Sequence, residues 1–95
     1  MTDFTSIRVC VPTPALFEQL AEECSELAHA ALKVARVYRG ENPTPVKMTE
    51  AFHSVFEEFS DVITVANVIG LKADDLAMEG KLERWHNRLE EQDNA

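Results

Sequence analysis

The sequence predicts an all-α fold, an antiparallel bundle of about three main helices per chain that is completed by oligomerisation. Three observations carry this: long apolar repeats at alternating spacings of four and three, proline and glycine only where helices would start or stop, and no sustained strand alternation. At 95 residues and 10.7 kDa the chain has room for one small domain, residues 1–95. A chain this short buries a modest share of its unfolded surface, so a partner copy would stabilise it greatly.

The elements follow in order. Phe4, Ile7, Val9 and Val11 alternate loosely before Pro12-Thr13-Pro14, which suggests an extended N-terminal arm over 1–13. Thr13 is the expected N-cap of the first helix and Pro14 its first residue. Leu20, Cys24, Leu27, Ala31, Val34 and Tyr38 then mark one face as far as Arg39, with Gly40 as C-cap. The Glu41-Asn42-Pro43-Thr44-Pro45 segment cannot continue a helix, because each proline lacks an N–H and constrains its predecessor. A second helix carries Met48, Phe52, Val55, Phe59, Val62, Ala66 and Ile69 up to Gly70, with Thr49 or Thr44 as its cap. The third is expected from about Ala73 to Glu91, with Leu76, Leu82, Trp85 and Leu89 apolar and Gly80 as a weak point. Lys72 stands where a capping Asp or Ser is expected, and residues 92–95 are expected to fray. Two long apolar stripes and one short third helix leave faces uncovered, so a homodimer or homotetramer is expected.

Composition excludes several function classes. A net charge of −8 opposes the phosphate neutralisation that duplex nucleic acid requires. No apolar run approaches the roughly 20 residues of a membrane helix. Two cysteines, Cys10 and Cys24, without CxxC spacing, fit reduced thiols and a cytoplasmic location. Cys24 lies on the apolar stripe and reads as a core residue, not a nucleophile.

The acid is concentrated. Glu22, Glu23 and Glu26 fall on the first long helix, and Glu57, Glu58 and Asp61 on the second. Without these six, eleven acids face nine bases, a net charge of −2. No Lys or Arg occurs between Arg8 and Lys33 or between Lys47 and Lys72, so one-turn salt bridges cannot account for either cluster. A helix dipole accounts for acids near the start of the first helix but not for the second cluster, in the middle of its helix. Glu23 with Glu26, and Glu58 with Asp61, are i,i+3 pairs that share a face. Four carboxylates converging from two antiparallel helices form a hard, all-oxygen site suited to Mg2+ or Mn2+.

These residues resemble a known family. EECSE at Glu22–Glu26 and EFSD at Glu58–Asp61 are similar to the EExxE and ExxD motifs of the MazG-like, all-α nucleoside triphosphate pyrophosphohydrolases. LAEECSELAHAALK, EEFSDVITVANVIGL and KLERW extend the resemblance over roughly residues 17–89, nearest the short, single-module phage and bacterial type. The resemblance implies Mg2+-dependent cleavage of nucleoside triphosphates between the α and β phosphates, giving a monophosphate and pyrophosphate, in nucleotide-pool housecleaning. It implies that Glu23, Glu26, Glu58 and Asp61 hold the metal and that Glu22 orients or deprotonates the attacking water, with Glu57 a weaker candidate. Lys81 matches a family lysine that holds phosphate oxygens, and reads equally as a solvated surface lysine.

The chain departs from the family in places. The interval between Glu26 and Glu58 is long, so the loop around Asn42–Lys47 is enlarged or reaches over the site. Trp85 stands where relatives place a polar nucleotide contact, and is expected in the core more than on a base. Asn67 is read as reaching the site or a subunit contact, and His29 as a surface or packing residue. His53 and His86 point to nothing specific. The alternative function is a catalytically weak nucleotide-binding or regulatory helical module.

Overall fold

The computed structural model describes residues 3–41 and 46–94 and is all-helical over them, in the order α1 (Phe4–Cys10), α2 (Thr13–Arg39), α3 (Met48–Ile69) and α4 (Asp75–Asp93). The two long helices end where their glycines require. Gly40 (φ 69°) and Gly70 (φ 94°) adopt the left-handed conformation, and their N–H groups return to the last carbonyls of α2 and α3.

Four helices stand where about three were expected, because residues 4–10 are helical and not an extended arm. Asp3 caps α1 by accepting from the Thr5 N–H at 2.9 Å. Phe4, Ile7 and Val11 are spaced three and four apart as well as loosely alternating, so the apolar pattern of so short a segment suited either structure. Arg8 holds α1 against the end of α3, its Nε donating to the Val68 carbonyl at 2.7 Å.

The other boundaries shift slightly. Pro12, not Thr13, is the N-cap of α2, and it has no side chain able to cap. Lys47 precedes α3 without a side-chain cap, Thr49 lies inside that helix, and Thr44 falls outside the described residues. Asp74 caps α4 through bonds from Leu76 N and Ala77 N, so α4 begins at Asp75 and not near Ala73. It runs through Gly80 and on to Asp93, past the expected fraying point at residue 92.

The core is the seam between α2 and α3, with α1 packed on α3. The predicted stripes are about one position out of register with it. The side of α2 that is covered runs through Leu16, Leu20, Glu23, Leu27, Ala30, Val34 and Val37, and that of α3 through Met48, Ala51, Val55, Glu58, Val62, Val65 and Ile69. Both follow the same three-and-four spacing, but each includes a glutamate. Cys24, Ala31, Tyr38, Phe52 and Phe59, all expected on the buried face, are exposed. The apolar arc of each helix is wider than one neighbour covers, and the hairpin uses only one edge of it. Tyr38 and Phe52 meet edge to face across the loop end, with ring centroids 6.1 Å apart.

α4 stands apart, with every residue exposed except the half-buried Gly80. Trp85 is therefore not a core residue of the chain; it is 55% exposed. No helix among the described residues is long and apolar enough to cross a membrane. The radius of gyration is 17.5 Å, against about 12 Å for a compact chain of this length.

Candidate metal centre

The packing that moves Phe59 outward moves Glu58 inward. Glu23 and Glu58 occupy seam positions of α2 and α3, half-buried, and Glu26 lies one turn beyond Glu23 on the rim. One carboxylate oxygen from each of the three lies within 4.8 Å of the others. The sequence-predicted ligands Glu23, Glu26 and Glu58 are thus brought together from residues more than thirty positions apart.

The site is only partly satisfied. Gln19, one turn before Glu23, donates its Nε2 hydrogen to Glu23 Oε1 at 2.8 Å. The other oxygen of Glu23, and Oε2 of Glu58, are buried and have no hydrogen-bond partner among the described residues. A buried carboxylate oxygen without a partner costs free energy on the order of 1–3 kcal/mol or more. The crowding raises the pKa of Glu26 from 4.5, chiefly by hydrogen bonding with Glu58 and by repulsion from it. The Glu22 charge adds to the repulsion, while a hydrogen bond with Glu23 opposes the shift.

Asp61 is exposed and outside the three-carboxylate group, although it follows Glu58 by three residues. Its side chain is one methylene shorter than a glutamate's, and its position is rotated off the seam. Glu22 is exposed beside the cluster. Glu57 faces solvent and meets His53 Nε2 at 2.7 Å, one turn away on α3. Asn67 is exposed near the end of α3. Lys81 is on α4, in a surface groove with Arg84 and Arg88, and does not line the acidic groove. Most of the loop proposed to reach the site, residues 42–45, lies outside the described residues.

A groove of about 590 Å³ runs along the hairpin from the cluster. Glu26 and Glu58 line its acidic part; further along, together with Ala30, Leu32 and Ser54, it is lined by His29, Lys33 and Arg36, on successive turns of α2. Sequence reasoning missed the contribution of these three, and of Gln19. The available signal was spacing: Glu26, His29, Lys33 and Arg36 recur at three, four and three, so they lie along one edge of a helix.

The donor set fits a divalent cation. It is oxygen-only, acidic and drawn from two helices, and two of its oxygens are buried without a hydrogen-bond partner among the described residues. No family profile, no curated protein and no solved structure matches the chain.

Proposed function

We propose that the chain is a Mg2+-dependent nucleoside triphosphate pyrophosphohydrolase that acts as an oligomer of its own copies. The observation that carries the reading is the placement of Glu23 and Glu58 at seam positions of the hairpin with unpartnered carboxylate oxygens. A hairpin selected for stability alone would place apolar side chains there, and breaches of that kind concentrate where function needs them.

In this reading Glu23, Glu26 and Glu58 hold the cation, with Asp61 as the fourth carboxylate that the motif resemblance assigns to it. Bound there, Mg2+ (or Mn2+) supplies charge neutralisation for the triphosphate and acidifies water. Gln19 orients Glu23 by occupying its other oxygen. Lys33 and Arg36, further along the groove, attract phosphate oxygens, Arg36 through its planar pair of donors. Glu22, exposed and beside the cluster, accepts the proton of the attacking water. Lys81 remains a candidate for phosphate through its position on α4.

Self-association is supported by surface area. The chain exposes 7770 Å². A folded monomer of this mass exposes about 5,500 Å². The excess, roughly 2,300 Å² per chain, is within the range an obligate homo-oligomer buries.

A panel of ribo- and deoxyribonucleoside triphosphates, assayed for pyrophosphate with Mg2+ and with EDTA, tests the reading. Metal-dependent pyrophosphate release is expected. Orthophosphate release would mean a different cleavage position, and no release from a protein that Mg2+ still stabilises would favour the binding or regulatory module.

A further inference from the structure

One edge of the hairpin carries a continuous track. On α2, Ala15, Gln19, Glu22, Glu26, His29, Lys33 and Arg36 recur at alternating spacings of four and three, a single line along the helix. On α3, Ser54, Glu58, Asp61, Val65 and Val68 form the matching line. Three surfaces follow one another along this edge. The basic part of the groove, with His29, Lys33 and Arg36, lies on the loop side. The carboxylates of Glu23, Glu26 and Glu58 stand in the middle. On the far side a second cleft, of about 310 Å³, opens between α1, α2 and α3. Ile7 and Val11 of α1, Ala15 and Leu16 of α2, and Val65 and Val68 of α3 form its walls, and Gln19 and Thr64 are its two polar lining residues. None of the eight is charged, on a chain of net charge −8.

We infer that this cleft takes the base of the nucleotide whose phosphates lie at the carboxylate cluster and in the basic groove. The inference rests on the proposed function and adds the direction of the substrate, base against α1 and phosphates toward the loop. Apolar walls suit the faces of a planar ring, and two polar side chains suit the few hydrogen bonds of its edge. The volume is at the lower end for small-molecule sites, enough for one ring system. Gln19 and Lys33 are fourteen residues apart, about 21 Å along the helix axis. The lysine side chain leans back toward the helix N-terminus, which leaves the span of an extended nucleoside triphosphate. Gln19 also joins the two regions, because it lines the cleft and donates its Nε2 hydrogen to Glu23 Oε1 at 2.8 Å. The α1 wall is held in place by Arg8, whose Nε donates at 2.7 Å to the carbonyl of Val68, itself a lining residue. In this orientation Glu22, between Gln19 and Glu26 on the line, stands on the sugar side of the metal ligands, where a water attacking the α phosphate needs a proton acceptor.

Methyl NMR of the full chain with Mg2+ tests it. The probes are the α,β-imido analogues of a purine and of a pyrimidine nucleoside triphosphate, which resist cleavage at that bond, and inorganic tripolyphosphate, which has no base. A bound base is expected to shift the Ile7, Val65 and Val68 methyls through its ring current, saturably and in step with the Arg36 side-chain N–H, whereas tripolyphosphate should shift Arg36 alone. Ala15→Phe, which fills the cleft, should weaken analogue binding about tenfold or more and leave tripolyphosphate binding unchanged. The methyl shifts of the wild type need no variant. Saturable nucleotide binding that leaves the three methyls unmoved overturns the inference and leaves the hydrolase reading standing, as does undiminished analogue binding by a folded Ala15→Phe. Methyl shifts that follow protein concentration and ignore nucleotide would mean that a side chain of a second copy fills the cleft, and overturn it too. Base-dependent methyl shifts in a protein that releases no pyrophosphate from the natural triphosphates uphold the inference and overturn hydrolysis. Absence of binding by every nucleotide overturns both.

Discussion

Glu26 of α2 and Glu58 of α3 face each other across the hairpin closely enough that repulsion and hydrogen bonding between them raise the pKa of Glu26 above 4.5. The pair sits at the rim of the α2–α3 seam, with Glu58 half-buried and Glu26 exposed.

A pH dependence follows. A carboxyl whose folded-state pKa is raised binds its proton more tightly when folded, so its penalty is in force above that pKa and is relieved as pH falls through it toward 4.5. In EDTA the melting temperature should therefore rise on mild acidification from pH 7, and Glu26→Gln should remove that rise. With Mg2+ present the trend should reverse, because the cation competes with the proton.

Neutralising the cluster should trade stability against activity. Glu58→Gln should raise the melting temperature of the metal-free protein, since it removes a half-buried carboxylate, one oxygen of which is buried without a partner. The same substitution should abolish the Mg2+-dependent gain in melting temperature. Glu23→Gln, Glu26→Gln, Glu58→Gln and Asp61→Asn should each abolish most nucleotide hydrolysis with helicity retained. Glu22→Gln should keep the metal-dependent stabilisation and lose turnover.

The fold was legible where the apolar period was long. The ends of α2 and α3 at Gly40 and Gly70 follow from residue type, since a left-handed cap favours glycine. The register was not legible, because an arc containing Leu20, Leu27, Ala28 and Ala31 together offers two faces of similar apolarity. Only the neighbour decides between them, and it chose the edge with Glu23 over the edge with Cys24. The three clustered carboxylates could be read from spacing and from the lack of nearby bases. Gln19 could not, because a glutamine one turn from a glutamate is ordinary on a solvated helix.

Arg8 links the helix that the sequence hid to the one it showed. Arg8→Ala removes a partly buried charged hydrogen bond to Val68 O, at the C-terminal end of α3 where a cation is favoured. The expected cost is about 1–3 kcal/mol in urea unfolding. Arg8→Lys should recover only part of it.

Asp74→Ala tests the start of α4. The Asp74 side chain satisfies two N–H groups of the first turn, so its loss should cost about 1 kcal/mol and lower helicity there. Asp74→Asn or Asp74→Ser should be near wild type, whereas amide exchange at Leu76 and Ala77 should accelerate in Asp74→Ala.

Direct cation binding tests the central claim that Glu23, Glu26 and Glu58 form one divalent-metal site. Calorimetric titration of the nucleotide-free protein with Mn2+, followed by competition with Mg2+, should show one saturating site per chain that weakens as pH falls and disappears in Glu58→Gln. Weak, non-saturating binding that is equal in wild type and Glu58→Gln would contradict the account.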